Sequence, residues 1–295
     1  MMRILFFSLL VILGNNAFGQ QLKIGIVADC QYCDCDYNVD WNNAYREAPE
    51  RLQQAVDTFN ANHVDLVFHL GDFIDRDYSS FNKVMPIMKK LSMPYYFVLG
   101  NHDFSVADNL KSKVYDMLEL QKPYYTIQKA GWLFIVLDGT EVSTYHSKDS
   151  VEINTATQEM KRYNDMKRAQ SKPWNGAISK AQLEWLDKQL TKSDNSELNA
   201  IVFCHFPVLP KGEVNLWNDE EVVEILKHHK SAKAFFNGHH HPGNYEKSRK
   251  IHYVTFQGMV LTQDKNAFSI VELSSTHINI VGFGREPSQD LRIKQ

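Results

Sequence analysis

Short apolar runs recur along the chain, and several of them stop abruptly at a polar residue. Residues 22–28, 65–70, 93–99, 199–204 and 232–237 are rich in Val, Ile, Leu, Phe and Tyr and read as buried strands. Helical spacing lies between them. Leu52, Ala55, Val56 and Phe59 share one face within 44–60, and Pro49 suits the first turn there. Residues 81–91 read as a helix that Pro86 must kink or shorten. Residues 124–128 and 132–137 make a hairpin across Lys129-Ala130-Gly131. The stretch 138–174 is polar and irregular, an insertion with one helix around 157–167. Leu183, Leu186 and Leu190 line a helix that Ser179 caps, and 220–230 is helical. Residues 251–256, 268–273 and 277–281 alternate as strands of a closing antiparallel sheet. Alternating strands and helices followed by hairpins predict one layered α/β sandwich with mixed sheets, undivided by any linker.

The strand ends carry the chemistry. Five apolar runs finish in Asp29-Cys30-Gln31, Gly71-Asp72, Gly100-Asn101-His102-Asp103, Cys204-His205 and Gly238-His239-His240-His241. Open α/β sheets place ligand sites at the carboxyl ends of their strands. In extended chain, residues two apart point the same way, so Asp29 and Gln31 should face one centre, as should His239 and His241. Carboxylates, amide oxygens and imidazoles together suit Mn²⁺, Fe or Zn²⁺ more than Ca²⁺. So many donors predict two divalent ions about 3.5–4 Å apart.

Composition narrows the class. The formal net charge of -3 and the lack of a basic run argue against a nucleic-acid partner. The N-terminus reads as a signal peptide over residues 1–19. Arg3 supplies the n-region, residues 4–13 an apolar h-region too short to span a bilayer, and Ala17-Phe18-Gly19 a small-residue cleavage site. The mature domain, 20–295, then starts at Gln20 or Gln21, without a lipid or transmembrane anchor, in the periplasm or outside the cell. Export permits disulfides, and all four cysteines flank the strand ends. A bridge from the Cys30, Cys33 and Cys35 group to Cys204 and free buried thiols both remain open.

The five blocks, in order, resemble the calcineurin-like metallophosphoesterase superfamily. Its fold would be a four-layer α/β/β/α sandwich with two mixed sheets. The resemblance implies Asp29, Gln31 and His241 as ligands of a first metal and Asn101, His205 and His239 as ligands of a second, with Asp72 bridging both. It makes His102 the leaving-group histidine and Asp103 the acid that orients it. The implied chemistry is attack on phosphorus by metal-bound hydroxide, without a serine or cysteine nucleophile. Gln31 followed by Tyr32, where most of the superfamily has histidine, is similar to the manganese-dependent ADP-ribose/CDP-alcohol diphosphatases. So are Ala44-Tyr45-Arg46, Asn175-Gly176-Ala177-Ile178, Gln182-Leu183-x-Trp185-Leu186, Gly258-Met259-Val260 and Gly282-Phe283-Gly284-Arg285. Pro242 and Asn244 depart from the glycine-rich sequence expected after the histidine block.

The substrate so implied is a nucleoside diphosphate-linked small molecule, cleaved at its phosphoanhydride. The alternatives are a general phosphodiesterase or phosphomonoesterase of the same superfamily and a non-catalytic module that kept the fold. A diphosphate needs a cation for its second phosphate. Arg46, near the start of the first helix, could hold it in a bidentate way. Trp41, Tyr45, Trp174 and Trp217 could stack on a base or plug the core. His69 reads as a packed histidine, and His63, His146, His228, His229, His252 and His277 mostly as surface residues.

Overall fold

The computed structural model describes residues 21–294. Strands β1 (Leu22–Val27), β2 (Leu66–His69) and β3 (Tyr95–Phe97) run parallel on one side of the first sheet. Antiparallel β10 (Ala267–Leu273), β11 (His277–Gly284) and β12 (Gln289–Arg292) complete it in the order β12-β11-β10-β1-β2-β3. The second sheet has the order β4-β5-β6-β7-β9-β8. Its members are β4 (Tyr125–Lys129), β5 (Trp132–Val136), β6 (Asn199–Phe203), β7 (Ala232–Asn237), β8 (Asn244–Ser248) and β9 (Ile251–Thr255). Here β5, β6, β7 and β9 are parallel, and β4 and β8 pair antiparallel at the edges.

Strand alternation builds four layers. Ile24, Ile26, Leu66 and Phe68 of the first sheet face Phe134, Val136, Ile201, Phe203 and Phe236 of the second. Phe68 stacks on Phe203 across this interface with ring centroids 4.3 Å apart. The intervening residues face outward onto helices. Val27 and Val67 pack on α1 (Ala48–Ala61) and α2 (Phe81–Met88), with the single turn α3 (Val114–Met117) beside them. Ile135 and Val202 pack on α5 (Lys180–Asn195) and α6 (Asp219–His228). The remaining helix, α4 (Ser150–Asp165), lies in the inserted segment, capped by the Asp149 carboxylate. This is the four-layer α/β/β/α sandwich with two mixed sheets.

Most boundaries differ from the sequence reading by a few residues. Pro49 does occupy the first turn of α1, and Ser179 caps α5 by accepting the Gln182 amide. Pro86 sits inside α2, which ends at Met88 instead of 91. The insertion helix begins at Ser150, well before residue 157. Two strands, β8 and β12, carry no apolar alternation and were not legible. Both are edge strands specified by backbone pairing with β9 and β11.

The cysteines resolve differently from the expected long-range bridge. Cys33 is bonded to Cys35, while Cys30 and Cys204 are free and buried. Cys30 lies in the outer core beneath α1 and Cys204 in the outer core beneath α5, so the two-sheet interior separates them. Several histidines also depart from a surface assignment. His252 is buried in β9, bonded to the Arg292 carbonyl and the Tyr245 hydroxyl, and His146 packs edge-on against Phe104. The expected signal peptide falls outside the described residues, among which no helix is long and apolar enough to cross a membrane.

Phe68→Ala removes the ring that joins the two sheets. It should lower unfolding free energy by about 3–5 kcal/mol, measured by urea denaturation. A cost below about 1 kcal/mol would mean that the sheets are held together elsewhere.

Candidate active site

The carboxyl ends of β1, β2 and β3 in one sheet and of β6 and β7 in the other open on the same end of the sandwich. Asp29 and Gln31 follow β1, Asp72 follows β2, and Asn101 follows β3. His205 follows β6, while His239 and His241 follow β7. The structure therefore brings all seven sequence-predicted donors together. It does so by a route other than strand alternation. Asp29, Gln31, Asp72 and His239 all have left-handed backbone, with φ of 50°, 47°, 54° and 65°. Non-glycine residues adopt that region at a cost, and they persist there where surrounding contacts over-determine them. The contacts here are explicit. The Asp29 amide donates to the Gly71 carbonyl (3.2 Å), Gln31 to the Asp72 carbonyl (2.8 Å), and His239 to the Asp29 carboxylate (3.1 Å).

Asp72 stands at the centre, fully buried. Its Oδ1 accepts the His102 amide at 2.8 Å. Its Oδ2 accepts Gln31 Nε2 at 3.1 Å and lies 3.2 Å from His205 Nε2. Close approach of strand ends requires glycine at two points. A Cβ on Gly100 would come within 2.2 Å of Asp72 Oδ1, and one on Gly71, where φ is +96°, within 2.5 Å of His205 Nδ1.

The electrostatics follow from burying this much charge. Burial alone would push the Asp72 carboxyl up, but His205 and His102 outweigh it and hold the group below the usual carboxylate range. Asp29 is pushed up to about 7 by burial, with Asp72 adding to the effect. His205 is pulled down by burial but carried to about 9 by Asp72. Burial lowers His241 to about 3. In His102, burial acts downward, and Asp72 and Asp75 together lift the imidazole to about 9.

His102 projects where its side chain is about one third exposed (34%), and its Nδ1 is 2.8 Å from Asp75 Oδ1. The acid that orients it is therefore Asp75, and the expectation for Asp103 is corrected. Asp103 lies under the strand ends and accepts the backbone amides of Phe73 (2.8 Å), Gly100 (2.9 Å) and Asp72 (3.2 Å). With the Ile74 amide at 3.4 Å, four backbone N–H groups consume its carboxylate. Asp75 was legible only as the next acid after the Gly71-Asp72 block. Its loop folds back through the Asp75 amide to the Tyr32 carbonyl, a contact between distant segments.

Arg46, expected to bind the second phosphate, is held by two carboxylates of its own neighbourhood. Its guanidinium binds Asp34 at 2.6 Å and Asp36 at 2.5 Å on an exposed loop. Two carboxylates within twelve residues claim the fork before any substrate could. The cation that stands beside the His102–Asp75 pair is Arg76, half exposed, 3.8 Å from Asp75 Oδ2 and over the Tyr45 ring. Of the four candidate stacking aromatics, Tyr45 and Trp217 are core, whereas Trp41 and Trp174 are exposed. A cavity of about 710 Å³ lies at the opposite end of the second sheet, walled by Lys230, Lys233, Lys250 and Lys294 among others, and takes no part in the site.

The donor set fits divalent cations. Ligand atoms of Asp72, His205 and His239 lie within 4.8 Å of one another. Gln31 Oε1 is buried with no partner. His205 Nδ1 lies 2.8 Å from the Leu70 carbonyl, which can only accept, so Nδ1 keeps its proton and Nε2 is the nitrogen that a cation would take in place of the second proton. That Nε2 lies among Asp72 Oδ2, Asn101 Oδ1 (3.2 Å) and His239 Nδ1 (3.1 Å), a nest of acceptors that a cation reconciles. Asp29, Gln31 and His241, whose Nε2 is 3.7 Å from Asp29 Oδ1, could complete a second position.

Known proteins resemble the chain in sequence and in fold. The family model for calcineurin-like phosphoesterase matches residues 22–243. The manganese-dependent ADP-ribose/CDP-alcohol diphosphatase of Bos taurus is 25% identical, the match covering 92% of this chain and 94% of the relative. The protein of the same name in Arabidopsis thaliana is also 25% identical, over 94% of this chain and 99% of its own. A dimetal phosphatase from Danio rerio superposes with a TM-score of 0.83 at 24% identity, over 92% of this chain and 99% of that one. Fold, strand-end donors and family match agree: the chain belongs to the calcineurin-like phosphoesterase family, as a metal-dependent hydrolase of phosphoric esters or anhydrides.

Proposed function

We propose that the chain hydrolyses the phosphoanhydride of nucleoside diphosphate-linked small molecules, ADP-ribose and CDP-alcohols being the model substrates, with two Mn²⁺ ions. The observation that carries this reading is Gln31, a buried amide at the first-metal position with its oxygen unpartnered beside Asp72. The names of the relatives support it, at an identity that leaves the substrate to be tested.

Asp29, Gln31, His241, Asn101, His205 and His239 would hold the cations, with Asp72 between them. Bound there, the cations supply Lewis acidity and lower the pKa of bound water. The residues of the chain do the rest. Asp75 fixes the His102 ring through Nδ1, so that Nε2 can give a proton to the departing oxygen. Asp103 holds the amides of Asp72, Phe73 and Gly100, and thereby keeps the Asp72 carboxylate aimed at its partners. Arg76 takes the role once expected of Arg46 and binds the second phosphate, because its guanidinium is only loosely held at 3.8 Å and borders His102 through Asp75. Export follows from the N-terminal sequence, with cleavage before Gln20 or Gln21.

Asp72→Asn should abolish turnover and disturb both metal positions; chelation should silence the wild type and Mn²⁺ restore it. Full activity without metal would refute the mechanism. His102→Ala should lower kcat by about 10²–10⁴-fold, the range for a lost general acid. Asp75→Asn should lower it less, and both losses should shrink for nitrophenyl esters, whose leaving group needs no proton. A deficit independent of leaving group would assign His102 to phosphate binding instead.

Arg76→Ala should raise KM for ADP-ribose and CDP-choline and leave bis(4-nitrophenyl) phosphate, which has one phosphate, nearly unchanged. The products should be a nucleoside monophosphate and a phosphorylated sugar or alcohol. Inorganic phosphate as first product would favour the general phosphoesterase reading. N-terminal sequencing from the native host should begin at Gln20 or Gln21; intact Met1 in the cytosol would refute export.

A further inference from the structure

Asn175 lies in the loop between α4 and α5, 64 positions before His239, and no metal role has been given to it so far. Its side chain is fully buried. Both hydrogens of Nδ2 are claimed by backbone carbonyls, that of Gln170 at 2.9 Å and that of Glu213 at 2.7 Å. This fixes the amide orientation, since a carbonyl oxygen turned toward those two carbonyls would have no donor to meet. Asn175 Oδ1 is thus an oriented acceptor, and it lies 3.0 Å from His239 Nε2. His239 Nδ1 points the other way, 3.1 Å from His205 Nε2 and into the Asp72 cluster. The loop cannot drift. A Cβ on Gly176 would come within 2.2 Å of the Gly139 carbonyl, the Gly176 carbonyl accepts the Trp217 amide at 2.8 Å, and Ala177 and Val142 exchange two backbone hydrogen bonds.

We propose that Asn175 is a positioning residue for the metal centre: it accepts the Nε2 proton of His239 and so selects the tautomer whose Nδ1 lone pair faces the cation. An imidazole free to choose would split between two tautomers, only one of which can ligate through Nδ1. An oriented acceptor on the far nitrogen removes the choice and holds the ring plane. The inference rests on the cluster being a divalent-metal site, and it explains why an Asn-Gly pair distant in sequence belongs to that site.

The test begins without metal. In chelator-treated wild-type protein, ¹⁵N–¹H correlation of the His239 ring should show the proton on Nε2; a proton on Nδ1 overturns the proposal whatever the variants do. Mn²⁺ binding is then measured by calorimetry on Asn175→Ala and Asn175→Asp. The aspartate keeps an acceptor toward His239 but forfeits both bonds to Gln170 and Glu213, whereas alanine forfeits all three. Asn175→Ala should bind Mn²⁺ about 10–100-fold more weakly, the usual effect of losing such a partner, and Asn175→Asp should stay within several-fold of wild type although both melt earlier. Equal weakening in the two variants would make Asn175 a loop staple and overturn the proposal. Failure of the wild type to bind Mn²⁺ would instead remove the metal reading on which it rests.

Discussion

The buried carboxylate of Asp72 is the constraint on which the rest of the site depends. An isolated carboxylate at zero exposure would cost several kcal/mol or take up a proton. Here its oxygens meet the His102 amide, Gln31 Nε2 and His205 Nε2, and the surrounding histidines hold the group ionised. Each partner comes from a different strand end. The charge therefore holds β1, β2, β3 and β6 in one relative position, and any change in sheet packing would be felt at the clustered donors.

That dependence explains the backbone strain. Four donors sit in left-handed conformation without being glycine, and each is tied by an amide hydrogen bond to another donor or to the turn beside it. Asp103, spent on four amides, belongs to the same lattice of support, as does the Leu70 carbonyl that sets His205. Such a scaffold trades local conformational energy for donor positions fixed before any ligand arrives. Asn175 extends the same logic one shell outward, because a backbone-anchored amide is a stiffer orienting group than a surface side chain.

His102 is built differently. It is partly open, held through Nδ1 by Asp75 from the neighbouring loop, and flanked by the loosely held Arg76. The rigid, closed cluster suits cation binding, whereas a histidine at the rim suits proton delivery to a substrate oxygen that must enter and leave. Family membership is shared by hydrolases with different substrates. Selectivity among phosphoesters is therefore expected at this rim, where Arg76 is exposed, and not in the cluster below.

The chain order alone determined the layered α/β class and the five polar strand ends, because period-two burial and abrupt apolar-to-polar transitions are local signals; which of those polar residues are donors was implied only by the family resemblance. It also determined that Ser179 caps a helix and Pro49 begins one, since capping chemistry acts over three or four residues. Tertiary structure decided what depends on the competition between distant groups. Asp103 adjoins His102 in sequence while Asp75 stands 27 positions before it, and only the fold showed which one the backbone amides consume. Arg46 met Asp34 and Asp36, and the two-sheet interior parted Cys30 from Cys204 while Cys33 paired with Cys35. The polar edge strands β8 and β12 had no pattern of their own, because their position is set by the strand they pair with. Asn175 was visible as part of a motif, but its contact with His239 spans 64 positions, past α5, β6, α6 and β7, and no local rule connects the two.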